Sequence, residues 1–171
     1  MGMDVYGKKP KSPQGEYFRN NVWYWHPLWD FCQDNFAVAR KVVNGHTNDG
    51  DGLNAADSKA LGKGIFQMLN NGEAQKYIDE RNERLSQLER VTCYLCKGTG
   101  IRTDDIGVEA GQPTKELSPE QAIVYGRTHG WCNGCDGDGK NEPWETNYRL
   151  TLENLEEFAN FLMDCGGFEI C

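Results

Sequence analysis

The sequence lacks any long hydrophobic run. Nowhere in its 171 residues is there a stretch approaching the roughly 20 apolar residues that a helix needs to cross a bilayer. Residues 1–11 carry charge but no apolar segment, so they do not have the pattern of a secretory signal. These absences predict a cytoplasmic protein with no membrane contact. The apolar fraction of 38% is enough to bury a core, so we expect a folded chain rather than a disordered one.

Basic residues are scarce as well. The chain has 18 Lys and Arg against 26 Asp and Glu, which gives a net charge of −8. Residues 141–171 are the most acidic part and contain a single base, Arg149. Such a surface repels phosphate and disfavours nucleic acid as a partner. The acidic segment is either a solvated helix face or a patch for a basic partner.

Motifs of common enzymes are absent. There is no G-x-S-x-G, phosphate-binding or dinucleotide-binding glycine motif, and His26, His46 and His129 do not form a metalloprotease pattern. The loop at residues 46–53, HTNDGDGL, resembles half of an EF-hand. Its twelve-residue frame begins at Thr47 and ends at Ser58, where calcium needs an acid and a bidentate Glu. We therefore favour a turn that caps the next helix over a calcium loop.

Cysteine, in contrast, is abundant and ordered. Seven are present, and four fall in two copies of C-x-x-C-x-G-x-G: CYLCKGTG at residues 93–100 and CNGCDGDG at residues 132–139. In a cytosolic protein such pairs indicate a metal or redox site rather than a disulfide framework. The other three are expected to be small buried hydrophobic residues; they are Cys32, Cys165 and Cys171.

The two repeats predict one zinc site with Cys93, Cys96, Cys132 and Cys135 as ligands. Zinc in structural sites is held tetrahedrally by four deprotonated side chains, and the glycines permit the tight turns that bring both sulfurs of a pair to one ion. The 35 residues between the pairs add little loop entropy. The alternatives are two surface turns without a metal, or a redox dithiol. His129 replaces one of the ligands, is a hydrogen-bond partner of a ligand, or is a solvated loop residue. Four thiolates leave no position for water, which argues against a zinc hydrolase.

The octet resembles the repeat of the cysteine-rich region of DnaJ-type chaperones, in which two repeats jointly hold one zinc. The J-domain signature His-Pro-Asp is missing, because Leu28 follows His26 and Pro27, so co-chaperone function is not implied. A longer resemblance, to a family of small bacterial and phage proteins without an assigned activity, implies a prokaryotic or viral setting. It is carried by residues 18–23, 48–53, both octets, 153–159 and 166–168.

We predict an α+β fold: a mainly helical single domain, residues 1–171, with an inserted four-cysteine, zinc-ribbon-like β-hairpin module. Its parts are a polar arm (1–16), an aromatic segment with helices (17–90), the zinc module with its insert (91–140) and a C-terminal helix (141–171). Pro27 is suited to start a helix. Asn54 and Thr151 are expected to cap two further helices, and residue 72 separates an antiparallel helix pair.

From these features we expect an acidic, zinc-stabilised adaptor or inhibitor that binds a protein and is not an enzyme, with its oligomeric state left open. One alternative is a nucleic-acid-binding zinc ribbon, which a basic arm would support through Lys8, Lys9, Lys11 and Arg19. Another is a small nucleotide-binding protein or enzyme that uses the aromatic segment and the Asp-Gly loop. The residues that we single out for a ligand or partner surface are Trp23, Trp25, His46, Asp49, Asp51 and Trp131.

Overall fold

The computed structural model describes residues 2–102, 104–109, 124 and 132–171. Within these residues it confirms the predicted α+β class, with five helices and two small antiparallel sheets. The chain divides into two compact units, residues 1–86 with 147–171 and residues 87–146. A single domain over residues 1–171 stays a prediction.

The first sheet corrects the prediction of a polar arm. Strand β1 (Gly2–Gly7) lies at its centre, between β2 (Tyr17–Asn21) and β5 (Phe168–Ile170), and both pairings are antiparallel. Val5 lies opposite Phe18 on one side and Ile170 on the other, and its side chain is fully buried. The prediction failed because one of the two partners of this short strand, β5, lies at the other end of the chain.

Helix α1 (Val22–Asn35) starts earlier than predicted. The side chain of Asn21 accepts hydrogen bonds from the backbone N–H groups of Trp23 and Tyr24, at 3.0 and 3.2 Å, and so caps the helix. Pro27 is therefore inside the helix and not at its first position. Four of its six buried residues recur at helical spacing and form one buried face; they are Trp25, Leu28, Trp29 and Cys32. Pro27 and Phe31 are buried as well.

The next two helices match the predicted pair. Helix α2 (Ala55–Asn71) is capped by Asn54, whose side chain accepts from the N–H of Asp57 at 2.9 Å. It ends at Gly72, and α3 (Glu73–Ser86) follows at once.

Helix α5 (Leu152–Asp164) completes the core of the first unit, and Thr151 caps it as predicted. Its close contact with α2 depends on Gly62, because a Cβ there would lie 3.1 Å from the carbonyl oxygen of Ala159. The core is largely aromatic, and its bulkiest side chains are Trp25, Trp29, Phe31, Phe158, Phe161 and Phe168. Cys32 and Cys165 are buried, whereas Cys171 is exposed, which corrects the prediction for that residue.

The second unit contains a two-stranded sheet formed by β3 (Val91–Thr92) and β4 (Lys140–Asn141), and the short helix α4 (Asp105–Glu109). The strands immediately precede the first cysteine octet and follow the second. They bring the outer ends of the two octets side by side. Short 3₁₀ turns occur at Pro13–Gly15, Ala39–Lys41 and Trp144–Asn147.

Candidate metal centre

The four predicted cysteine ligands meet at one point in the second unit. The Sγ atoms of Cys93, Cys96, Cys132 and Cys135 all lie within 4.8 Å of one another, and the four residues are buried. Cys93 and Cys132 are 3.8 Å apart between sulfurs, and Cys96 and Cys135 are 3.7 Å apart. The structure thus brings together a group that can hold a metal ion.

These distances fit a tetrahedral thiolate site. Four sulfurs at about 2.3 Å from a central zinc ion would be about 3.8 Å from one another. The closest pairs in the structure have this spacing already. A disulfide would require sulfurs at about 2.05 Å, and all seven cysteines are free thiols. The arrangement therefore suits an ion between the sulfurs better than a bond between them.

The two octets are related by an internal approximate twofold symmetry. The N–H of Cys93 donates to the carbonyl of Gly139 at 2.8 Å, and the N–H of Cys132 donates to the carbonyl of Gly100 at 2.7 Å. These two bonds are equivalent under the twofold symmetry, because each position of the first octet corresponds to the position 39 residues later in the second octet. Lys97 and Asp136, which are also equivalent, both have positive φ angles, 53° and 50°.

Two glycines allow this close approach. A Cβ on Gly100 would lie 2.4 Å from the carbonyl oxygen of Gly137, and a Cβ on Gly139 would lie 2.5 Å from that of Gly98. Real Cβ atoms do not come this close to backbone, so any larger residue would separate the octets. The glycines of the motif thus serve the pairing of the two turns as well as the turns themselves.

Backbone N–H groups point at the sulfurs. Gly100 donates to Sγ of Cys96 at 3.3 Å, and Gly139 donates to Sγ of Cys135 at 3.2 Å. Hydrogen bonds of this kind favour the charged form of the acceptor. The glycines therefore help to stabilise thiolates, which are the form that binds metal.

The thiols differ in proton affinity. Burial raises the pKa of Cys132 to about 12. At Cys93 burial acts in the same direction, but N–H groups of Cys96 and Leu95 outweigh it and the pKa falls to about 7. A metal must displace the remaining protons, so its binding weakens as the pH falls.

Two arginines lie around the octets, and sequence reasoning did not identify them. Arg90 forms ion pairs with Asp138 and Glu142, and its guanidinium also donates to the carbonyl of Lys140 at 2.9 Å. Arg102 is buried, binds Asp104 through two nitrogens and donates to the side chain of Asn133 at 2.9 Å. Each arginine therefore links a residue beside the first octet to a residue within the second octet. Arg90 precedes the first octet by a few residues, and Arg102 follows it closely. This proximity to the octet is the signal that the sequence offers.

Leu95 was missed for a different reason. It is the hydrophobic residue packed against the cysteines, and its equivalent in the second octet is Gly134. A Cβ on Gly134 would lie 2.4 Å from Cδ1 of Leu95. The Leu95 side chain therefore fills the space that a side chain at residue 134 would also need. The symmetry is broken at this pair, and only the packing reveals why.

The other predicted site residues that the structure describes all belong to the first unit. Trp25 is fully buried and its indole N–H donates to the carbonyl of Gly45 at 2.7 Å, so its assignment to a surface was wrong. Trp23 is 44% exposed, and its ring lies 4.9 Å from that of Tyr148. Trp131 lies outside the described residues, as does His129.

The Asp-Gly loop has a structural role. The carboxylate of Asp51 accepts from the backbone N–H groups of Val43, Asn44 and Gly52 at 2.7 to 2.9 Å. Asp49 accepts from the hydroxyl of Thr47. The Asp51 oxygens therefore hold the backbone of the loop and of the two residues at 43 and 44 that precede it.

His46 lies on the same loop but contacts helix α1. Its Nδ1 is 2.8 Å from Nδ1 of His26, and its Nε2 is 3.1 Å from the carboxylate of Asp30. Sequence reasoning had placed it with the aspartates of the loop. The structure groups it with the helix instead.

Comparisons of the chain with protein-family models, with curated proteins and with solved structures gave no match. Over the described ranges, no helix is both long and apolar enough to cross a membrane.

Proposed function

We propose that this is a small acidic protein, stabilised by one zinc ion, that binds another protein as an adaptor or inhibitor and performs no chemistry at the metal. The observation that carries the proposal is the buried group of four thiols. Zinc prefers such a set of soft ligands, and a site with four protein ligands has no place for a substrate or a water molecule. The proposed metal is therefore structural.

The bound ion would compensate the negative charge of four thiolates. The backbone aligns the two octets. Strands β3 and β4 align their outer ends, and the backbone hydrogen bonds of Cys93 and Cys132 pair one octet with the other. Residues 97–131 begin and end at this group, so the ion would fix both ends of that insert. Structural zinc sites contribute folding free energy outright.

Protein binding is favoured by what lies at the surface. Tyr94 follows the first metal-binding cysteine and is 79% exposed, on a turn that the ion would make rigid. In the first unit Trp23 is one of the exposed aromatic residues, along with Tyr6 and Tyr17. Tyrosine and tryptophan are enriched at the centres of protein interfaces, because they bury a large area at a small cost in entropy. The net charge of −8 adds a preference for basic partners.

The metal is tested by elemental analysis of protein purified without chelators. We expect one zinc per chain in the wild type and none in Cys93→Ser, which should also lose structure in residues 87–146. Cys171→Ser is the matched control, because that thiol is exposed and lies outside the group; it should keep its zinc. A wild-type protein free of zinc, or a different metal in stoichiometric amount, would contradict the proposal.

The partner is tested separately. Immobilised wild type and the double variant Tyr94→Ala/Trp23→Ala would be compared for proteins retained from the host, and each retained protein would be purified and titrated against both. We expect a partner whose affinity falls at least about tenfold in the double variant, the loss of about 1.4 kcal/mol that an interface anchor commonly contributes. Retention of nucleic acid alone, with a strong dependence on salt, would support the zinc-ribbon alternative instead.

A further inference from the structure

Two histidines far from the cysteine octets in sequence point the same ring nitrogen at each other. His26 is on α1, and His46 is on the loop that leads to α2. Their Nδ1 atoms are 2.8 Å apart, and the ring centroids are 5.0 Å apart. Two nitrogen lone pairs at this distance require something positive between them, which is either a proton or a metal ion.

The third member of the group fixes how these rings are protonated. Asp30 lies one helical turn after His26, and its carboxylate is 3.1 Å from Nε2 of His46. A carboxylate accepts hydrogen bonds, so Nε2 of His46 carries the proton and Nδ1 keeps its lone pair. Proteins commonly orient a histidine ligand, and increase its basicity, by a carboxylate that accepts from the ring nitrogen on the side away from the metal.

The rest of the loop holds His46 in place. The carbonyl of Gly45 accepts from the buried indole of Trp25, and Asp51 binds the N–H groups of Val43 and Asn44. A Cβ on Gly45 would overlap Trp29, so the backbone here is packed directly against the core. The imidazole is thus positioned by the fold before any ligand arrives.

The pair is open to solvent on one side. The side chain of His46 is 38% exposed, and His26 is half-buried. The proposed ion would therefore enter from the solvent, and water would fill its remaining coordination positions. This contrasts with the cysteine group, where every position is taken by a buried side chain.

We propose that His26 and His46 form a second metal site, which takes a divalent ion of the imidazole-preferring class, such as Zn²⁺, Ni²⁺ or Cu²⁺. Zinc–nitrogen bonds of about 2.0–2.1 Å at a tetrahedral angle place the two nitrogens about 3.3 Å apart. The rings must therefore separate by about half an ångström. When the ion binds Nδ1 of His26, the proton on that atom moves to Nε2 of the same ring. Binding to the neutral pair therefore releases no proton.

The experiment is a titration of the purified chain with Zn²⁺ alone, followed by equilibrium dialysis and by ¹⁵N NMR of the imidazole nitrogens. We expect one zinc per chain beyond the amount present at the start, with both Nδ1 resonances shifting together. His26→Gln and His46→Gln should each lose this additional zinc. Asp30→Asn should weaken its binding about 10- to 100-fold, as removal of such a supporting carboxylate does.

The chain offers a matched control in its third histidine. His129→Gln should keep the additional zinc, because that residue is not part of the pair. If no additional zinc binds, if it survives in His26→Gln, or if His129→Gln removes it, the proposal is overturned and the two rings share a proton only. Circular dichroism of each variant separates loss of the site from loss of the fold. The loss of zinc in His26→Gln and His46→Gln is read against the wild type under the same conditions and does not depend on whether the cysteine site is filled, so failure of either proposal leaves the other intact.

Discussion

The backbone carbonyl of Trp23 accepts a hydrogen bond at 2.9 Å from the backbone N–H of Arg149, which is 126 positions later in the sequence. In a regular helix that carbonyl would bind the N–H of residue 27. Residue 27 is proline and has no N–H, so the carbonyl is left without its helical partner. The segment before α5 supplies the missing donor and is thereby fixed to α1.

This bond can be tested at both ends. Arg149→Pro removes the donor, and we expect a loss of about 1–3 kcal/mol in the free energy of unfolding, measured by urea denaturation. Arg149→Ala keeps the N–H and should change stability little. Adding Pro27→Ala to the Arg149→Pro variant restores a donor within the helix and should recover part of the loss. No recovery would show that the carbonyl is solvated and that the bond is dispensable.

The second prediction concerns the contact between the two octets. Gly100→Ala places a Cβ 2.4 Å from the carbonyl oxygen of Gly137, at a φ of 75°. We expect the octets to separate and the metal to be lost to a chelator at least about tenfold faster, equivalent to about 1.4 kcal/mol in the barrier. The rate is measured with a chromogenic chelator.

Gly72→Ala is the matched control for that experiment. Its φ is 82°, but nothing lies within 4 Å of the added Cβ. It carries only the cost of the left-handed backbone, about 1–2 kcal/mol, and should not alter metal release. If Gly100→Ala releases metal as slowly as Gly72→Ala, the close approach of the octets is not required for the site.

The third prediction separates two neighbouring tryptophans. Trp25→Phe removes the donor to the carbonyl of Gly45 and leaves a buried acceptor unpaired, so we expect a loss of about 1–3 kcal/mol. Trp23→Phe, at an exposed position, should change the free energy of unfolding by less than about 0.5 kcal/mol. Thermal or urea unfolding measures both. Equal losses would contradict the assignment of Trp25 to the core and Trp23 to the surface.

The fourth prediction is a dependence on pH. Hydrogen bonds from Asn44, and further ones from Gly52 and Val43, hold the pKa of the Asp51 carboxyl below its ordinary value of 3.8. In acid the unfolded chain takes up this proton first, so the stabilisation is complete above pH 3.8 and is lost as the pH falls through the lower pKa of the folded state.

Urea unfolding from about pH 5 to about pH 2 measures this loss. Asp51→Asn should flatten the acid limb of the stability curve, because an amide does not titrate there. Asp49→Asn is the control, since that carboxylate accepts from the Thr47 hydroxyl rather than from backbone groups. An acid limb that is unchanged in Asp51→Asn would contradict the role given to this residue.

Local patterns predicted those parts that depend on local chemistry. Asn54 and Thr151 cap helices as expected, since a side-chain oxygen needs only the next turn to find its N–H partner. Pro27 misled the prediction of α1, because the carbonyl that this proline leaves without its helical N–H partner finds a donor far along the chain, at Arg149. The spacing of Trp25, Leu28, Trp29 and Cys32 was the signal that favoured the earlier start.

The sequence by itself determined which four cysteines form the candidate metal centre. The spacing of a C-x-x-C-x-G-x-G turn brings two sulfurs together through covalent geometry and the conformational freedom of glycine alone. The sequence could not determine that the two turns bind each other reciprocally, that Leu95 fills the space left by Gly134, or that His26 faces His46. Those relations join residues between 20 and 46 positions apart, and β1 pairs with β5 across almost the whole chain. Only tertiary packing decides such contacts, since the loss of chain entropy that they require is offset by the burial of the surrounding core.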